Sequence, residues 1–445
     1  MRSTRSDRAA RHLEKLREFL GDSHERRLLV TVATDATGSG LFIAGAALFY
    51  VRVAGLSGSQ IGIGLSVMGI VGLLAALPNG ALADRIGPRR ALIALHLWRA
   101  ACCSALAFVS SFPQFLTAVV LLGLAEYAGA PALQAYVAGA FRAERRVRLM
   151  ARIQTVKNTG FLVGALLAAA AVSTGSPWGY RLLLVGDGLS FLVAAVLMVT
   201  LRAAAAGPAV ERVRRKLLAP LKNPGFAVLT VCNGVLMLNF SVLTIGIPLW
   251  IVRATHAPAA LAPILLVVNT VLAITLQVPL SRGADTMRGA GRQTLRSGCC
   301  LALMCLALAA AALPSARTGA VVLLLVAVLL QTLGEIWYSS GGWGLQFALA
   351  PEGEQGSYAA AYGLGSTTEG LLGPTLVGAG VVSAGTAGWG LLAAAFLAAG
   401  VASWTVAARA AARSTPGGTV APEVTASADR HARSAETAGD LATAR

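Results

Sequence analysis

Seven ionisable side chains interrupt stretches that are otherwise apolar. Asp35, Glu126, Asp187, Glu335 and Glu369 are acids, and Arg99 and Lys157 are cations. Such groups are costly inside a bilayer and usually face a cavity or a partner. An acid removed from water favours its protonated form, which suits a group that takes up and releases protons. Asp35 lies in Thr34-Asp35-Ala36-Thr37-Gly38-Ser39-Gly40, where small neighbours leave room for water or ligand. It reads as a coupling or binding residue, the bland alternative being a hydrogen bond to a neighbouring helix. Arg99 reaches a similar depth and is placed to pair with a carboxylate or to line a vestibule. Glu126, Glu335 and Glu369 complete the candidate proton or substrate set. Lys157, a turn into its stretch, reads as snorkelling to the interface. Asp187 precedes Gly188-Leu189-Ser190-Phe191 and reads as structural.

The elements that must position these residues follow from composition. The chain has 445 residues, 56% hydrophobic and 13% charged, against about 25% charged in a soluble domain. Twelve apolar stretches are expected to span a membrane: 28–52, 60–80, 91–110, 114–139, 152–174, 182–201, 226–251, 260–281, 296–313, 319–346, 357–382 and 388–408. Each approaches or exceeds the roughly 20 residues a spanning helix needs, and they are too long for barrel strands. Of the 37 Lys and Arg, only Arg52, Arg181, Arg253 and Arg317 stand in or at the edge of the alternate loops, and Arg99 and Lys157 stand inside spans. All the others lie on the side of the N-terminus, which predicts that both termini are cytoplasmic. The same distribution accounts for the net charge of +17 without nucleic acid. The six cysteines all fall in apolar stretches and suggest neither a disulfide nor a metal site. The first 27 residues are polar and basic and lack the apolar core of a signal peptide. No phosphate loop or zinc motif appears, so neither cofactor nor metal is expected.

The expected organisation is a basic arm (1–27), a six-helix half (28–201), an amphipathic cytoplasmic linker (202–225), a second six-helix half (226–408) and a disordered tail (409–445). The arm carries Leu13, Leu16 and Leu20 on one helical face, and the linker alternates Val210, Val213, Leu217 and Leu221 with Arg and Lys. The halves repeat. Leu124-Ala125-Glu126-Tyr127 matches Leu333-Gly334-Glu335-Ile336, and Gly164 matches Gly373, at one common offset. Pro78 and Asp84 have the spacing of Pro279 and Asp285. Together these favour duplication.

Between the second and third stretches runs Gly80-Ala81-Leu82-Ala83-Asp84-Arg85-Ile86-Gly87-Pro88-Arg89-Arg90. It resembles the Gly-x-Leu-Ala-Asp-Arg-x-Gly-Arg-Arg signature of the major facilitator superfamily. Gly80, Leu82, Ala83, Asp84, Arg85, Gly87, Arg89 and Arg90 match, and Pro88 departs from a common Arg. The resemblance implies an all-α membrane protein of twelve helices in two six-helix halves around a cavity lined by helices 1, 4, 7 and 10. It implies that Asp84 faces the N-terminal end of helix 11 near Tyr358 in the outward-open state, while the arginines stay in water. Gly160 and Gly164 loosely resemble the helix-5 signature of antiporters without its proline. Gly370, Gly373 and Pro374 in helix 11 look more like it, and all five read as close-packing sites. An Arg common in helix 4 of the family is absent here, Ala125 and Glu126 standing near its place. The expected function is proton-coupled export of small amphipathic molecules, drugs or secondary metabolites, across a bacterial plasma membrane. The alternative is a facilitator or proton symporter importing a nutrient. A membrane enzyme finds no nucleophile–base pair to support it. The expected partners are a small-molecule substrate, protons and the lipid bilayer, with the chain acting as a monomer.

Overall fold

Helices end where capping residues stand, and here they outrun the apolar stretches. The computed structural model describes residues 21–173, 176–202, 219–258, 261–313, 317–351 and 353–413. Among them the chain forms twelve long helical segments and no strand. The first half comprises α1 (Ser23–Arg52), α2 (Gly58–Ile86), α3 (Pro88–Leu106), α4 (Phe112–Glu126 continued by Gly129–Ala140), α5 (Ala143–Ser173) and α6 (Pro177–Thr200). The second comprises α7 (Pro224–Ala254), α8 (Leu261–Leu280), α9 (Met287–Ala310), α10 (Arg317–Leu349), α11 (Gln355–Thr375 continued by Leu376–Val381) and α12 (Gly385–Arg413). Nine of the described helices are long and apolar enough to cross a membrane. The others are α1, which holds Asp35, α3, which carries three arginines in 19 residues, and α11, which holds Glu369.

Capping explains the shifted starts. The Asp22 carboxylate accepts from the His24 and Glu25 N–H groups, so α1 begins at Ser23 rather than 28. These donations, that of Glu25 foremost, hold the Asp22 carboxyl below its usual range. Ser57 and Gln60 form a reciprocal capping box on α2. Thr286 caps α9 and Asn223 caps α7, with Pro224 at its first position. α5 begins at Ala143, nine residues before the expected 152, because its first turns are polar and lie before the apolar stretch. Residues 1–20 of the expected arm, 203–218 of the linker and 414–445 of the tail lie outside the described residues; the end of the arm belongs to α1, the linker ends in one helical turn at Ala219–Lys222, and α12 runs on past 408 into the expected tail as far as Arg413.

Within the first half α1 packs on α5 and α6, and α3 on α6; within the second α9 packs on α10 and α7 on α11. The halves meet through α2 against α11 and α5 against α8. Large apolar side chains such as Leu74, Leu182 and Leu391 point outward and are more than half exposed. Such a surface suits lipid rather than water. All six cysteines are free thiols, four of them buried.

Candidate functional site

Glycine lets the helices that carry charge come close. A Cβ on Gly160 would lie 2.8 Å from the Ala36 Cβ, and one on Gly40 would lie 2.5 Å from the Phe161 carbonyl oxygen. Gly164 sits against the Thr37 carbonyl. Gly160 and Gly164 thus form the α1–α5 contact. Gly188 of α6 likewise abuts Ala100 of α3. These approaches bring together Asp35 (α1), His96, Arg99 and Cys103 (α3), Glu126 (α4), Lys157 (α5) and Asp187 (α6).

Arg99 is the hub. Its Nη2 lies 3.8 Å from Glu126 Oε2, with side-chain exposures of 19% and 32%. Its guanidinium stacks over Phe191 of α6 at 4.2 Å from the ring centroid. The carboxylates whose charge it feels are Glu126, then Asp35, then Asp187. Lys157 faces Asp35. It lies about four turns into α5 because that helix starts early, so it stands mid-helix and not at the interface where the sequence suggested. Glu126 ends the first part of α4, and Tyr127 and Ala128 form a turn before the helix resumes at Gly129. Asp187 is 2% exposed, hydrogen-bonds Cys103 and leaves Oδ1 with no partner, as do Asp35 Oδ1 and Arg99 Nε. The sequence assigned Asp187 to structure and did not weigh His96; their convergence on Arg99 has no local motif, since it is a product of three-helix packing.

The second half holds its acids differently. Glu335 Oε2 accepts from Asn269 Nδ2 at 3.2 Å, and that amide also donates to Thr332 at 3.0 Å. Glu369 Oε1 accepts from the Ser241 hydroxyl at 2.5 Å. Ser241 immediately precedes a π-helical turn at Val242–Gly246, and Pro374 precedes another at Leu376–Val381. Single π turns are often found at functional sites. Gly373 packs against Ser241 and Glu369, and Gly370 leaves space beside the Tyr127 hydroxyl. Tyr127 itself faces both Glu126 and Glu369 across the halves. Glu126 and Glu335 occupy matching places in the repeat, yet α4 breaks beside the former while α10 runs unbroken past the latter.

The signature stretch is helical rather than a loop. α2 continues to Ile86 and α3 resumes at Pro88, with Gly87 alone between them at φ 89°. Only glycine takes that conformation cheaply, and Pro88 loses nothing at a first helical position. Asp84 Oδ1 accepts from the Gly356 N–H at 2.8 Å; Oδ2 accepts from the Ser357 N–H at 2.9 Å and its hydroxyl at 2.6 Å. The carboxylate therefore closes the N-terminus of α11, where unsatisfied donors and the helix dipole favour an anion. Gly80 permits the approach, abutting Gly356 and Ala360. Tyr358 packs edge-on against Phe226 at 4.7 Å. Arg85 and Arg90 are exposed. Arg89 departs from the expectation of a solvated arginine: it donates to the carbonyls of Met198, at 3.1 Å, and Val199. There it satisfies the last acceptors of α6. Asp285, in the corresponding place of the second half, is exposed and faces Arg148 and Glu144 of α5.

A two-half bundle of membrane-length helices, with buried charges between them and a carboxylate latch across the halves, is the architecture of a carrier. The profile of the Major Facilitator Superfamily matches residues 28–374, and the chain belongs to that superfamily: it is a multi-pass membrane transporter and not an enzyme. No match to the curated proteins was found. The fold is similar to that of a bacterial homologue of the iron transporter ferroportin in an outward-facing state. There the TM-score is 0.70 and the identity 17%, over 88% of this chain and 100% of that one. It is similar also to the human organic anion transporter MFSD10, with TM-score 0.56 and 18% identity over 86% of this chain and all of that one. A third likeness is the proton:xylose symporter XylE, with TM-score 0.62 and 14% identity over 86% of this chain and 96% of that one. Among the described residues, no group of three His, Cys, Asp or Glu side chains is placed to hold a metal ion.

Proposed function

We propose that the chain exports small amphipathic molecules, drugs or secondary metabolites, in exchange for protons across a bacterial plasma membrane. The observation that carries this reading is the meeting of Asp35, Glu126 and Arg99 in the membrane interior, with Glu126 and Arg99 open in part to solvent. Buried acids that share a cation change its partner when one of them is protonated. Such a change can be coupled to which side of the membrane the site faces. Both termini are assigned to the cytoplasm on the Lys and Arg distribution. In that orientation the Asp84 latch closes the cytoplasmic end and must open for the site to face inward. The opposite end carries Arg52, which donates to the Tyr180 hydroxyl at 3.0 Å, and Arg181, which lies 5.2 Å from the Trp178 ring centroid. The chain works as a monomer in this reading, the site residues coming from one copy.

The test is uptake of fluorescent amphipathic dyes into inverted membrane vesicles under an imposed pH gradient. Accumulation that collapses with the gradient is expected. Dye movement that only equilibrates, whatever the gradient, would instead favour the facilitator reading.

A further inference from the structure

Asp187 has no part in the coupling scheme above, yet it sits in the same cluster. It is 2% exposed and lies between α1 and α3: a Cβ on Gly38 would come within 2.9 Å of its Oδ1. Cys103 of α3 is the neutral group that hydrogen-bonds it. The charges that face it are Arg99 of α3, Asp35 of α1 and Glu126 of α4. Tyr50 of α1 also faces it. Lys157, from α5, faces Asp35. His96 stacks on Phe191 at 6.0 Å between centroids, beside Arg99 on the same ring, and is taken as the neutral imidazole in the charge count.

Three carboxylates therefore meet two cations. With all three ionised the buried cluster carries one excess negative charge, and burying an uncompensated charge is strongly unfavourable. The open hydrogen-bonding positions agree with this count. Asp35 Oδ1 and Asp187 Oδ1 take no hydrogen bond, while Arg99 Nε gives none. Arg99 thus has a free donor and two carboxylates besides Glu126 to turn to.

We infer that Asp187 belongs to the proton site, and that Asp35, Glu126 and Asp187 together hold one proton against Arg99 and Lys157. This deepens the antiport reading and rests on it for its role in transport. Each cycle through the first half then carries one proton, and Arg99 follows the carboxylate that remains charged.

The experiment uses the full chain in liposomes without substrate, on a background where Glu335→Gln and Glu369→Gln remove the second-half acids. Infrared difference spectra between mildly alkaline and mildly acidic buffer read the carbonyl band of protonated carboxyls. The background protein should show one cluster carboxyl. Asp187→Asn should abolish that band, and Arg99→Gln should double it. The double variant R99Q/D187N restores the excess charge and should match the background. That double variant also decides the matter if Asp187→Asn alone does not fold. Were Asp187 outside the site, the double variant would gain a band the background lacks. An unchanged band in Asp187→Asn, or a band lost in His96→Gln instead, would overturn the inference. Because no substrate is present, a protein that passes this test but fails to accumulate dye under a pH gradient would contradict the antiport reading and leave the proton count standing.

Discussion

In the first half, Arg99 and Lys157 stand among Asp35, Glu126 and Asp187; in the second, Glu335 and Glu369 take hydrogen bonds from Asn269 and Ser241. The repeat gives both halves an acid at matching positions, but among the described residues only the first half surrounds its acids with cations. The physical consequence differs. A carboxyl that accepts from a neutral amide or hydroxyl can lose its charge with little rearrangement, because the donor keeps other partners, as Asn269 does with Thr332. A carboxylate that balances a buried arginine cannot lose its charge without releasing that arginine. On the proposed antiport reading, the first half is therefore where protonation has mechanical consequences, and the second is where acids can meet a ligand or stay neutral. Backbone continuity follows the same division: the chain breaks at Tyr127 beside Glu126, but runs unbroken through Glu335.

The comparison breaks most readily at Arg99. Arg99→Gln strips the shared cation from three acids and the stacked group from Phe191. Loss of one partner of a buried ion pair costs about 3–5 kcal/mol, so thermal unfolding of the purified protein should fall sharply. Glu335→Gln, which leaves a neutral amide beside Asn269, should change it by less than about 1 kcal/mol, the scale of a single neutral hydrogen bond. Equal losses would erase the distinction between the halves.

The next effect concerns the latch that joins them. Asp84→Asn weakens an anion at the α11 N-terminus, an interaction of about 0.3–1 kcal/mol and up to about 2 when partly buried. At about 1.4 kcal/mol per tenfold, the balance between outward and inward states should move by roughly two- to thirtyfold toward inward. Accessibility of cysteines introduced on either face would read this, with slower transport and normal insertion. Unchanged accessibility would remove the latch from the account.

Packing gives a smaller contrast. Gly164→Leu must push α5 from the Thr37 backbone, and overpacking costs about 1–3 kcal/mol. Gly373→Ala meets the Ser241 hydroxyl and the Glu369 carboxyl, which are side-chain ends able to turn aside, so its penalty should be lower. The two melting temperatures compare them directly. A small and local change is expected at the cap of α1. Asp22→Ala removes two backbone hydrogen bonds, about 1 kcal/mol. Because the Asp22 carboxyl is held below its usual range, its contribution is present at neutral pH and is lost as the pH falls through its folded value. The difference between variant and wild type should vanish in acid.

The fold was largely readable from the chain. Twelve apolar stretches became twelve helical segments, and the Gly80–Arg90 motif marked the junction of α2 and α3 whose Asp84 reaches α11 of the other half. Hydropathy reports where lipid lies and not where a helix begins, which is why α5 starts at Ala143 and the stretch around Asp84 is helical. Asp35, Glu126, Glu335, Glu369 and Arg99 announced themselves as charges among apolar residues. What was hidden is their grouping. Nothing in the spacing of Arg99, Lys157 and Asp187 tells which helix faces turn toward each other; Gly38, Gly160, Gly164 and Gly188 decide that by letting helices approach. Arg89 likewise looks solvated beside Arg90, and only the end of α6 in space shows its acceptors.

The most direct test of the account is transport by purified Asp35→Asn, Glu126→Gln and Glu335→Gln proteins in liposomes, with and without a pH gradient, using a dye that the wild type accumulates. The account predicts that Asp35→Asn, and at least one of the two glutamate variants, loses gradient-driven accumulation, while downhill exchange survives in at least one of them. If all three concentrate the dye as the wild type does, proton coupling through these acids is contradicted.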